Sequence, residues 1–246
     1  MKGLASSDYF VIVWSSSFLS PILYLPSNYS NLTSIQYSDR MGRNGWEARV
    51  TAIRLLVLGT IRRRGSAHGY RVYRDLTSWR VETWTSVKPG SIYHAIAQLE
   101  SQSFILPTHS SQGAKLGPSR TEYTLTSQGE EEFTSLLETA IKAIDIEILA
   151  AGIAFMEMLP RDRVIALLNE RLTSLQVIPS FLKSLPTEPI PSEPSKHPEL
   201  IGLWVGYVES AITSTQNLIK ALENGKYAFL NEKEIHEWKK HHPKQR

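Results

Sequence analysis

The chain has 246 residues, of which 41% are hydrophobic and 21% charged, an ordinary balance for a globular protein of one or two domains. It contains no cysteine, which excludes disulfides, thiolate zinc sites and cysteine nucleophiles and fits a cytoplasmic location. The net charge of +3 conceals an uneven distribution: residues 49–126 carry 11 Lys/Arg against 4 Asp/Glu, whereas residues 127–246 carry 13 against 17. A basic module joined to an acidic one favours a nucleic-acid reader attached to a module that does not contact nucleic acid.

Residues 1–48 are predicted to be a poorly ordered leader. Phe10–Leu25 is apolar, but serines and Pro21 interrupt it and it is too short to span a bilayer. Lys2 alone supplies positive charge near the start, and no small-residue cleavage site follows, so we expect neither a signal peptide nor a membrane anchor. A start at Met41 would leave most of this leader out.

Three helices are predicted next. Arg49–Arg64 has apolar residues at helical spacing on a stripe so wide that the helix must be largely buried, and Gly65 can end it. After a short turn at Ser66–Tyr70, a second helix carries Val72, Leu76 and Trp79 on one face. Pro89 suits the first turn of a third helix, whose core face is Ile92, Ile96 and Leu99.

A β-hairpin is predicted to follow the third helix, with strands at Phe104–His109 and Arg120–Leu125. In the second strand, Thr121, Tyr123 and Leu125 alternate with polar residues, which is typical of a half-buried strand. Glycines and Lys115 lie in the connection. Three helices followed by a hairpin predict a winged helix-turn-helix domain over residues 49–126.

The rest of the chain is predicted to be helical. Thr126 and Ser127 offer N-cap hydroxyls to a long helix whose apolar residues from Phe133 to Ala151 alternate steps of three and four, as in a coiled-coil seam. Pro160 opens another helix, which Pro179 kinks or ends. A proline-rich linker spans 184–198. A last helix ends near Gly225 and carries an apolar stripe formed by Leu200, Trp204, Tyr207, Ala211, Leu218 and Leu222. We assign 127–228 to a helical dimerisation and effector domain and 229–246 to a basic tail.

The third helix has a polar face suited to reading DNA. Ser91, His94 and Gln98 follow at steps of three and four, and an amide such as that of Gln98 can pair with adenine in a major groove. Lys88 and Tyr93 lie beside this face, where they suit phosphates. In the hairpin, Lys115 and Arg120 can reach the DNA backbone. An isolated helix face of this kind is more often simply solvated, but the basic surroundings favour the DNA-binding interpretation.

Four motifs in this region closely resemble the PadR family of bacterial transcriptional regulators. They are His68-Gly69-Tyr70, Pro89-Gly90-Ser91-Ile92-Tyr93, Leu99-Glu100, and Tyr123-Thr124-Leu125-Thr126-Ser127-Gln128-Gly129. The resemblance covers residues 53–132 tightly and the remaining helices more loosely. It implies a homodimeric winged-helix repressor whose C-terminal helices form the dimer and hold a small-molecule effector. It also implies that Tyr70, Ser91 and Tyr93 contact the DNA backbone while His94 and Gln98 face the groove.

The sequence departs from the family pattern in two places. The 48-residue leader has no counterpart, and residues 101–106 read Ser-Gln-Ser-Phe-Ile-Leu where members carry a more acidic, glycine-bearing turn. The second departure would change how the wing leaves the third helix.

We expect no enzyme. The histidines are scattered, and no His-Glu-x-x-His, glycine-rich phosphate loop or Gly-x-Ser-x-Gly occurs, so no catalytic residue, metal or cofactor is predicted. The function predicted is a cytoplasmic, ligand-responsive repressor that binds a palindromic DNA operator as a homodimer. The alternative is a winged-helix adaptor that binds proteins and has no sequence-specific contact with DNA.

Overall fold

The computed structural model describes residues 45–108, 121–184 and 198–229. These residues form a mainly helical structure with one small antiparallel sheet, consistent with a winged helix. In the described part of the chain, none of the helices has the length and apolar character needed to cross a membrane. The helices are α1 Gly45–Arg64, α2 Gly69–Ser78, α3 Pro89–Ser101, α4 Ser127–Lys142, α5 Ile146–Ile153, α6 Arg161–Ser184 and α7 Pro198–Glu223; the strands are β1 Ala67–His68, β2 Ile105–Thr108 and β3 Glu122–Leu125.

The sheet has the strand order β1-β3-β2, and both pairings are antiparallel. The predicted hairpin is confirmed as β2 and β3, in which Ile105 pairs with Leu125 and Thr108 with Glu122. The turn predicted at Ser66–Tyr70 is wrong, because Ala67 and His68 form β1 against β3. All four residues of β3 are half-buried. They include Glu122, on the face predicted to be polar, whose carboxylate accepts a hydrogen bond of 2.9 Å from Ser66 Oγ.

Helix α1 is the centre of the core. The predicted wide apolar stripe is confirmed, because the side chains from Leu55 to Leu58 are all fully buried. The helix begins at Gly45, so residues 45–48 belong to it rather than to the leader. It ends as predicted: Gly65 adopts a φ of 75°, in the left-handed region that glycine tolerates best.

The long helix predicted after the wing is two helices, and this prediction is therefore wrong at its middle. Thr126 caps α4 as expected, by accepting a hydrogen bond from Gly129 N. The helix stops at Lys142, because Ala143 is extended and its carbonyl oxygen accepts a hydrogen bond of 2.6 Å from the buried Arg171. Asp145 then caps α5 through the backbone N–H groups of residues 147 and 148.

The break folds the predicted seam back into the core of the same chain. Phe133, Leu137, Ala140 and Ala151 are all buried there, among residues of α1 and α6. Gly152 allows the return, since a Cβ at this position would lie 3.0 Å from Ile141 N and 3.1 Å from the carbonyl carbon of Ala140. The apolar surface that the seam was expected to offer to a second copy is thus covered internally.

Helices α6 and α7 pack against each other. Pro179 lies inside α6, which continues to Ser184, so this proline does not end it. The buried line of α7 runs through Val205, Val208, Ile219 and Leu222, and it lies mostly one residue away from the predicted stripe. Phe229, assigned to the tail, is fully buried in the core. The remainder of the predicted leader, linker and tail lies outside the described residues.

Candidate nucleic-acid interface

Helix α3 is fixed by its N-terminal cap and by one buried face. Pro89 occupies the first turn, as predicted. The Ser91 hydroxyl donates a hydrogen bond of 2.6 Å to the carbonyl oxygen of Lys88 and accepts one of 3.1 Å from its N–H. Ile92, Ala95, Ile96 and Leu99 form the buried face. The hydroxyl of Ser91 is therefore occupied in holding the helix start, although the residue itself is exposed.

The face of α3 opposite the core is a stripe of four exposed residues, which we call the α3 stripe: Gly90, His94, Ala97 and Ser101. They follow at steps of four, three and four, and so lie on one side of a helix of 3.6 residues per turn. His94 was predicted here, whereas the other three were missed because small side chains carry no chemical signal in a sequence. Gln98 lies on the flank of the stripe and is only partly exposed.

An aromatic groove of about 490 Å³ borders α3 on its other flank. The rings of Tyr70 and Tyr93, 52% and 48% exposed, lie on its wall, and Glu100 and Tyr123 also line it. The ring of Tyr73 lies beside both tyrosines, with its centroid 6.3 Å from that of Tyr70 and 6.4 Å from that of Tyr93. Gly69 lets the ring of Tyr93 approach, because a Cβ there would lie 3.2 Å from it. The groove thus brings together the two predicted tyrosines.

Sequence reasoning missed two polar contacts that shape this groove. His68 Nδ1 accepts a hydrogen bond of 3.0 Å from Arg71 N and so caps α2. Tyr123 donates its phenolic hydrogen to Glu100 at 3.1 Å, and burial, together with this hydrogen bond, raises the pKa of Tyr123. Both depend on partners that only the folded chain brings together.

Four arginines of α1 are paired with carboxylates, which lowers the unbalanced positive charge of the basic region. Arg54 binds Glu132, Arg62 binds Glu130, Arg63 binds Glu157, and Arg64 binds Asp75. Three of these acids come from the segment counted as the acidic module. Much of the predicted charge asymmetry is therefore neutralised across the boundary between the two segments, and these arginines hold α1 in place.

Other cations stay on the outer surface near α2 and α3. Arg74, Arg80 and Lys88 are exposed, and within the described ranges no carboxylate lies at ion-pair distance from them. Lys115 and Arg120, the two wing residues predicted to contact DNA, lie outside the described residues.

Comparison with known proteins shows what this region of the chain is similar to. Residues 57–135 match the model of the transcriptional regulator PadR-like family. Among solved structures, the chain is similar to the crystal structure of Bacillus subtilis PadR in complex with operator DNA, with 24% sequence identity and a TM-score of 0.29 over 70% of this chain and 96% of that chain. No curated protein matches. The resemblance read from the motifs is confirmed, because residues 57–135 of this chain match the model of the transcriptional regulator PadR-like family.

Proposed function

We propose that the protein is a DNA-binding transcriptional regulator in which α3 is the reading helix of a winged helix-turn-helix domain over residues 49–126. The observation that carries the proposal is the α3 stripe, an unobstructed face on a helix that is capped at its start and buried along its opposite side. Small residues on that face permit close approach to base edges, as an α-helix in a major groove requires. The match to a family of transcriptional regulators supports the same conclusion.

Each candidate residue then has a role that follows from its position. His94 on the stripe and Gln98 on its flank contact base edges. Tyr70, Tyr93 and Lys88 border the stripe and contact phosphates, with Lys115 and Arg120 of the wing in the same role. Ser91 contributes by capping α3, since both its hydroxyl and its backbone N–H donate to the carbonyl oxygen of Lys88. Arg74 and Arg80 are additional exposed cations of this domain.

We also propose how the protein assembles and how its binding to DNA is controlled. The protein acts as a homodimer through residues 127–228, and α7 is its main contact, because Leu203 is 66% exposed there. Two equivalent reading helices require a palindromic operator with half-sites about 10 bp apart or a multiple of that. The dimer represses by covering a promoter, and a small-molecule effector releases it by changing the spacing of the reading helices.

Selection of duplexes from a random-sequence pool tests the proposal. The full-length chain is expected to enrich a palindromic site and to bind it in fluorescence anisotropy with an affinity that falls steeply as salt rises. A poly-anionic competitor such as heparin controls for non-specific charge attraction. Failure to enrich any sequence, together with salt-insensitive binding, would favour the protein–protein adaptor instead.

A further inference from the structure

We propose that Glu147 is a positioning residue for α3: its carboxylate holds the loop that leads into the reading helix and ties the orientation of that helix to α5. This inference depends on the proposed DNA-binding function, since it concerns how the reading helix is aimed. Glu147 itself lies outside the segment that matches the family.

The contact joins two regions that are 61 residues apart in the chain. One carboxylate oxygen of Glu147 accepts two hydrogen bonds from Ser86, one from its backbone N–H and one from its hydroxyl, each 2.9 Å long. Hydrogen bonds to an ionised acceptor are stronger than those between neutral groups. Two such bonds to one residue fix both the backbone and the side chain of Ser86.

The position of Ser86 makes this contact relevant to α3. On one side, Thr85 is buried, and its hydroxyl donates to Val81 O and accepts from Val87 N. On the other side, Val87 is buried and Lys88 is the N-cap of α3. Ser86 is exposed between the buried Thr85 and Val87, so without Glu147 its amide and hydroxyl would face solvent.

The position of Glu147 is fixed by the capped start of α5. Its backbone N–H donates to Asp145, the cap of α5, at 2.9 Å. The start of α5 is further defined by Ala143, whose carbonyl oxygen accepts from the buried Arg171 of α6. The carboxylate therefore projects from a fixed helix start, and movement of α5 relative to α1 would be passed to the loop before α3.

The test compares three variants of the full-length chain on a duplex selected from a random pool and on a scrambled duplex of the same composition. Glu147→Ala removes the acceptor. Glu147→Gln removes the charge but keeps a carbonyl oxygen that can accept both bonds. Glu131→Gln, on an exposed position of α4, is the control for loss of one negative charge.

We expect Glu147→Ala to weaken binding to the selected duplex about tenfold, because two charge-assisted bonds are lost. Binding to the scrambled duplex should stay within about twofold of the Glu131→Gln control, because an exposed charge contributes little. Glu147→Gln should restore most of the discrimination between the two duplexes. Circular dichroism melts establish that each variant is folded at the assay temperature.

Two results would overturn the inference while leaving the proposed function intact: Glu147→Ala binding the selected duplex as tightly as Glu131→Gln, or weakening both duplexes equally. A wild-type chain that selects no duplex would instead refute the proposed function itself. If Glu147→Ala were unfolded, Ser86→Ala would replace it, since this change removes only the hydroxyl donor. An effect of Ser86→Ala on scrambled and selected duplexes alike would then count against positioning.

Discussion

The hydroxyl of Tyr123 donates a hydrogen bond of 3.1 Å to Glu100 Oε2 and thereby joins the central strand of the sheet to α3. Tyr123→Phe removes this bond and leaves the ring in place, so we expect a loss of about 1 kcal/mol in the free energy of unfolding. Urea denaturation followed by circular dichroism measures it. Tyr93→Phe, a change at an exposed tyrosine of the same groove, is the comparison and should change stability less.

The same bond predicts a dependence on alkaline pH. The pKa of Tyr123 is raised above its ordinary value of 10.0, chiefly by burial and then by the bond to Glu100. A raised pKa in the folded state means that the protonated phenol contributes stability below pH 10, and that this contribution is lost as pH rises through the folded pKa. Wild type should therefore lose stability more steeply than Tyr123→Phe as the pH rises above 10. Parallel slopes would contradict this.

Ser103 occupies a backbone position that favours glycine. Its φ is 60°, and its N–H donates to Glu100 O while the N–H of Phe104 donates to Leu99 O, the pattern of a Schellman motif at the end of α3. Ser103→Gly should raise the free energy of unfolding by about 0.5–1 kcal/mol, because it relieves the left-handed strain. Ala97→Gly, at an exposed position in the interior of α3, should lower it by about 1 kcal/mol. Thermal melts of both variants decide the sign.

Gly129 lies where no side chain fits. A Cβ there would be 2.0 Å from the carbonyl oxygen of Phe104, which also accepts a hydrogen bond from Thr126 N. Gly129→Ala must push α4 away from the sheet, and we expect a loss of at least about 2 kcal/mol. Gly90→Ala, where a Cβ would meet nothing within 4 Å, is the matched control. Equal stability of the two variants would show that the junction yields easily.

The proposed roles on α3 predict three separable phenotypes. Gln98→Ala should cost about 1–3 kcal/mol on the selected duplex and relax base preference at one symmetric pair of positions. Lys88→Ala should weaken selected and scrambled duplexes similarly and lower the salt slope by about one. Ile96→Ala should destabilise the fold by about 2–5 kcal/mol, because it empties a core position. A change of base preference in Lys88→Ala, with none in Gln98→Ala, would reverse the assignment.

Assembly through α7 predicts the effect of a charge at its exposed surface. Leu203→Glu should convert the protein to a monomer in sedimentation equilibrium at micromolar concentration, since an unpaired carboxylate is costly in an apolar interface. Gln216→Glu, an exposed polar position on the same helix, adds the same charge and should leave the dimer intact. A wild type that sediments as a monomer would remove this part of the proposal.

Local patterns predicted α3 well, because Pro89 and the spacing of Ile92, Ile96 and Leu99 act within one helix. The break after Lys142 could not be predicted in this way, because it depends on Arg171, which lies 28 residues after Ala143 and donates to its carbonyl oxygen. Charge counting failed for a similar reason: it could not reveal that Glu130, Glu132 and Glu157 neutralise arginines of α1. The site was predicted in part, since helical spacing identified His94 but not the small residues beside it.

The close approach of Gly59 to Phe155 has a consequence for protein engineering. A Cβ at Gly59 would lie 2.6 Å from the Phe155 ring, which is fully buried and also stacks edge-on against Trp79 and Phe133. A chimera that takes this chain only as far as the wing would lack Phe155. The surface around Gly59 in α1 would then be exposed to water. A cut placed after Leu159 would keep Phe155 together with Gly59, so that this contact would be transferred intact.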